Sequence, residues 1–184
     1  MPRGRKKKLF DIDDNDKYII SNQIYKPVAD KLVDKYRDFL PFVDTSKILF
    51  LSNLYTDDRT KNKPIVYASV SAIPKKIKIA YKQAFGATYE YIMEIRENHI
   101  EDFTNDQKIL LIYHELMHIA GDGKTYKHNL EDFKEIVRIG GVDWDKPGEN
   151  VPHILHEVGE EDSPDEPVYN LDIKILTEPQ NIDE

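Results

Sequence analysis

Apolar residues recur every four positions at Ile24, Val28, Leu32, Tyr36 and Leu40, with Lys and Asp on the opposite side. This single stripe predicts an amphipathic helix from Asn22 to Leu40, stopped at Pro41. The pattern then changes. Lys47–Tyr55 (KILFLSNLY), Ile65–Ile73 (IVYASVSAI) and Tyr89–Ile95 (YEYIMEI) are rich in β-branched and aromatic residues and read as strands. Pro74–Gly86 (PKKIKIAYKQAFG) lies between the second and third, a basic segment expected to form a short helix ended by Gly86. Residues 1–20 lack such a pattern and read as a flexible arm, basic and then acidic.

Thr104 opens the most informative stretch. Thr104-Asn105-Asp106-Gln107 fits a capping box, in which the Thr hydroxyl and the Gln side chain satisfy each other's backbone N–H groups. The helix it starts is expected to reach about Ala120 and to stop at Gly121 and Gly123. Ile109, Ile112, Leu116 and Ile119 form one apolar row, with Leu110, Tyr113, Met117 and Ala120 beside it. A helix apolar over most of its circumference is a buried one. A further helix is expected over Leu130–Ile139, closed by Gly140-Gly141. After Trp144 the chain becomes rich in Pro, Gly and acidic residues, and residues 151–184 read as an acidic, mostly extended tail. Within it VYNLDIKIL, from Val168, alternates like one strand.

This order predicts an α+β fold: one domain over residues 21–150 with a small mixed sheet, a packed amino-terminal helix and the Thr104 helix beneath the sheet. Tyr89–Ile95 is expected at the sheet edge, where an extended peptide would pair with it. A chain of 184 residues is long enough for such a core. No run approaches the roughly 20 apolar residues of a membrane span, and no apolar stretch follows the basic amino terminus as in a secretory signal. Cysteine is absent, which excludes disulfides and thiolate metal ligands and fits a cytoplasmic protein, in the host cytoplasm if phage or mobile-element encoded.

Charge is unevenly placed. From Glu157 to Glu184 ten acidic residues face only Lys174, a balance of −9 against −8 for the whole chain, so the rest carries +1. Arg3, Arg5, Lys6, Lys7 and Lys8 are the candidates for a weak nucleic-acid contact.

The buried helix carries His114-Glu115-Leu116-Met117-His118. Residues four apart share a helix face, so both imidazoles can reach one ion, with Glu115 beside a water on that ion. Zinc lowers the pKa of such a water toward about 7, and a glutamate can take its proton and return one to a leaving amine. A catalytic zinc takes a third protein ligand. Asp122, His128, Glu131, Asp132 and Glu135 are the candidates, with His128 first and Glu131 and Glu135 behind, because the glycine turn lets the chain double back. The extended motif that would place a third histidine at position 124 fails, since Lys124 stands there. Tyr113 and Tyr126 are candidates to stabilise an oxyanion, and His153-x-x-His156-Glu157 is a weaker candidate for a second metal.

The run Ile112-Tyr113-His114-Glu115-Leu116-Met117-His118-Ile119, followed by Lys127-His128-Asn129-Leu130-Glu131-Asp132-Phe133, resembles the phage metallopeptidase family, itself reminiscent of SprT-like zincins. The likeness covers roughly Pro74 to Trp144. It implies a zincin-like domain, zinc held by His114, His118 and His128, Glu115 as catalytic base, and a protein or peptide substrate. Asn129 departs from it, because the family often has Asp directly after the third histidine. Two other functions are carried alongside zinc-dependent peptide hydrolysis. One is a phage or mobile-element protein that blocks a host factor, with zinc structural. The other is a protease held near DNA by its basic arm.

Overall fold

The computed structural model describes residues 17–55, 65–86, 88–128, 132–155 and 171–172. In chain order these form β1 (Tyr18–Ile20), α1 (Asn22–Lys35), β2 (Ile48–Asn53), β3 (Ala68–Ala72), α2 (Lys75–Phe85), β4 (Tyr91–Arg96), α3 (Asn105–Met117) and α4 (Lys134–Gly140). Short 3-10 turns at Thr45–Lys47 and Glu97–His99 lead into β2 and out of β4. None of the described helices is long and apolar enough to cross a membrane.

The strands make one mixed sheet in the order β1-β2-β4-β3, with β2 and β4 parallel and both outer pairs antiparallel. Alternation sorts its two faces. Ile48, Phe50 and Ser52 on β2, and Tyr91, Met93 and Ile95 on β4, are all buried, whereas the residues between them are only partly covered. α1 and α3 pack on the buried face. α1 contributes Ile24, Val28 and Leu32 from its predicted stripe, together with Tyr25, Ala29 and Val33. Its start is stitched to β2: Ser21 N–H donates to the Phe50 carbonyl, and the Asn22 side chain accepts from Phe50 N–H.

The fold class is α+β, as expected, and several details differ. α1 ends at Lys35, because the chain turns through Tyr36 to Leu40, where Leu40 still reaches the core. Tyr18–Ile20, assigned to the arm, is a strand whose Ile19 packs inward, and Val151, Ile154 and Leu171, assigned to the tail, are buried in the core. The strand expected at Tyr89–Ile95 is not an edge. It lies between β2 and β3, and hydrogen bonding on both sides leaves it no free backbone for a peptide. The edges are β1 and β3, and β3, whose Ser69 and Ser71 are exposed, is the one packed against α3. The strand expected from Val168 lies largely outside the described residues.

Candidate metal centre

α3 begins as its sequence predicts. Thr104 Oγ1 accepts from Gln107 N–H at 3.2 Å and Gln107 Oε1 accepts from Thr104 N–H at 3.0 Å. Gln107 also does something the capping box does not announce. Its side-chain Nε2 donates to the carbonyls of Trp144 and Lys146, at 2.9 and 2.7 Å, tying the start of α3 to that distant turn. His114 and Glu115 fall within the helix, and His118 is its C-cap residue.

The chain then reverses. Gly121, Asp122 and Gly123 all have positive φ, the region in which glycine avoids the usual Cβ penalty. Ile119 bridges to Thr125, and Tyr126 N–H donates to the His118 carbonyl. The tip is held by the Tyr91 hydroxyl, which accepts from Gly123 N–H at 3.0 Å. This hairpin carries His128 back over α3. His128 Nε2 lies 3.0 Å from His114 Nε2 and 3.1 Å from His118 Nε2. Three ring nitrogens therefore converge on one point, close enough for one ion. Carbonyl, carboxylate and hydroxyl donors suit harder cations, whereas an all-imidazole set suits zinc and its neighbours.

The ring orientations fit that use. His118 Nδ1 lies 2.8 Å from the Tyr126 carbonyl, so it carries the proton and leaves Nε2 with its lone pair. Burial lowers the His118 pKa to about 4, against the weaker opposing pull of that carbonyl, so the ring is neutral at pH 7. His114 Nδ1 lies 2.9 Å from Asp132 Oδ1, a close but off-line contact without a straight hydrogen bond. Trp144 Nε1 donates to the other Asp132 oxygen at 2.7 Å, and Phe133 N–H donates to Oδ1 at 2.6 Å. Burial opposes the charge on Asp132, but the close His114 ring and the Trp144 hydrogen bond prevail and hold its carboxyl below its ordinary range.

Glu115 is buried beside the three histidines. Its burial pushes the carboxyl up to about 7, against the pull of His114 and of a hydrogen bond from Val70 N–H. Oε2 has no hydrogen-bond partner among the described residues. The Val70 contact fixes how β3 is used. Tyr67 and Ile73 bond to β4, so by the two-residue period Ala68, Val70 and Ala72 aim their N–H and C=O groups away from the sheet. Ala68–Val70 of β3, the histidines, Glu115 and Thr125–Lys127 line one cleft of about 800 Å³.

The chain belongs to the phage metallopeptidase family. The family model described as "Putative phage metallopeptidase" matches residues 17–156, which include the whole sheet, α3 and all three histidines. Membership implies a metal ion, and the imidazole cluster is a place that can hold one. Comparisons with curated proteins and with solved structures find no match.

Of the other residues weighed for this family member's site, Asp132 orients His114 and does not join the ring cluster. Asp122 is exposed in the hairpin. Glu135 is engaged by Arg138 at 2.7 and 2.8 Å. Glu131 and Asn129 lie outside the described residues, as do Arg3–Lys8 and His156. His153 sits 3.5 Å from Asp106. Tyr113 is a core residue, fully buried and stacked on Tyr36 at 4.6 Å. Tyr126 lines the cleft and is half exposed. Sequence reading missed the Gln107–Trp144–Asp132 chain and the role of Val70. A lone buried tryptophan twelve residues past an aspartate carries no local signal for either.

Proposed function

We propose that this family member is a zinc-dependent metallopeptidase, with the ion held by His114, His118 and His128 and Glu115 as general base. The observation that carries this is the convergence of the three Nε2 atoms beside a buried carboxylate whose second oxygen has no partner. Three imidazoles leave a fourth position open on a tetrahedral ion, the arrangement of catalytic rather than structural zinc. When bound, such an ion supplies a Lewis acid that polarises a carbonyl and acidifies water.

The chain's own residues do the rest. The outward N–H and C=O groups of Ala68, with the outward Val70 carbonyl, pair with an extended peptide and lay one of its amide bonds across the histidines. Glu115, with a carboxyl near pH 7, takes a proton from the attacking water as the new C–O bond forms. It gives a proton to the amide nitrogen as the C–N bond breaks, so the departing amine leaves neutral. Val70 N–H keeps the carboxylate aimed throughout. Asp132 and Trp144 hold the His114 ring.

Glu115→Gln tests the assignment. It keeps the size of the side chain and removes the base, so metal content should match wild type while peptide hydrolysis falls by at least 100-fold. Undiminished hydrolysis would end the proposal.

A further inference from the structure

α2 carries Lys75, Lys76, Lys78 and Lys82 and no acidic residue, and none of its described side chains is buried. Ile77 and Ile79 are 54% and 49% exposed. Other helices balance their charges: Lys26 pairs with Asp30 on α1, and Glu135 with Arg138 on α4. Among the described residues, no carboxylate stands within ion-pair reach of the four α2 ammonium groups. None of the described α2 side chains joins the core.

Its place gives that helix a use. β3 runs directly into α2 through Ile73 and Pro74. Lys78 Nζ stands so near Gly123 that an added Cβ there would lie 2.9 Å from it. Gly123 is in the tip of the hairpin whose returning arm, Thr125–Lys127, lines the cleft along with β3. α2 therefore stands at the end of the cleft toward which β3 runs. At about 3.3 Å per extended residue, a peptide paired at Val70 meets α2 roughly four residues further on.

We propose that α2 is a docking face for an acidic segment of the peptide, its lysines reading carboxylate side chains a few residues from the bond to be cut. This rests on the reading of the cleft as a peptide site. The chain's own acidic tail is a poorer occupant, because Leu171 is buried and Asp172 acts on Tyr25 and Glu97, beyond the opposite end of β4 from α2. A peptide is favoured over nucleic acid because only a polypeptide backbone pairs along the β3 edge, which leads directly into α2.

The test measures binding, by fluorescence anisotropy on the full chain carrying Glu115→Gln. The probes are a labelled peptide flanked by Asp and Glu and its Asn/Gln counterpart. The acidic peptide should bind about tenfold tighter at low salt, with the gap closing as screening rises. K75Q/K76Q/K78Q/K82Q should erase the gap and leave the neutral peptide's affinity intact, since Gln matches Lys in helix propensity. If circular dichroism shows that variant misfolded, K76Q/K82Q must shrink the gap instead. A gap that persists in the glutamine variants overturns the proposal. So does a preference that appears only after residues 157–184 are removed, or duplex DNA that binds tighter than the acidic peptide through the same lysines. If no peptide is cleaved by wild type while the gap and its loss are both seen, the peptidase reading fails and the docking face stands.

Discussion

Asp132 Oδ1 lies 2.9 Å from His114 Nδ1, on the side of the ring opposite the nitrogen that faces His128. A carboxylate in that position fixes the ring's tautomer and raises the basicity of Nε2. Asp132→Ala should therefore weaken zinc binding about 10–100-fold, while leaving secondary structure intact. Competition against a chelator of known affinity measures this. Unchanged affinity would show that Asp132 only anchors Phe133 and Trp144.

Trp144 is kept in place partly by what is missing from Gly140. A Cβ at Gly140 would fall 2.8 Å from Trp144 Cβ and 2.5 Å from Leu110 Cδ2. The leucine methyl can swing aside, but the tryptophan Cβ cannot. Gly140→Ala should destabilise the fold by about 1–3 kcal/mol through overpacking. It should also lower zinc affinity, by moving the indole off Asp132. Urea unfolding and the same chelator titration separate the two effects.

Gln107→Ala removes half of the capping box and leaves the Trp144 and Lys146 carbonyls without their buried donor. The three bonds are worth about 1 kcal/mol each, so a drop of about 3 kcal/mol is expected in urea unfolding. A drop near zero would mean that water replaces the amide.

The metal-free protein should show opposed titrations. The Glu115 carboxyl is raised to about 7 in the fold, so its contribution is greatest below its ordinary pKa and is lost as pH rises through 7. The His118 ring is lowered to about 4, so its contribution is present above its ordinary pKa and is lost as pH falls through 4. Between pH 4.5 and 6.5 the two slopes run against each other. Glu115→Gln removes only the first. In chelator-treated protein, the stability of that variant relative to wild type should rise between pH 4.5 and 7, followed by urea unfolding. A difference independent of pH would contradict the buried, raised carboxyl.

The parts of this site written in local patterns were legible from sequence. The capping box, the i, i+4 histidines and the glycines that turn the chain toward His128 each depend on neighbours a few residues away. Strand order is different, because it depends on partners far along the chain. The alternating YIMEIR of β4 suits an edge or an interior strand equally, and only pairing with both β2 and β3 decides between them. Asp132 was weighed as a ligand because proximity in sequence cannot say which face of an imidazole a carboxylate meets. β1 was missed because three residues with one inward side chain make too short a pattern to stand out from an arm.

The most direct test of the account is metal content, measured by mass spectrometry on protein purified without chelator. About one zinc per chain is expected in wild type and in Glu115→Gln, with loss in His114→Ala, His118→Ala and His128→Ala alike. Zinc retained at full stoichiometry and affinity in His128→Ala, or wild type that stays metal-free after zinc is added, would contradict the three-histidine centre.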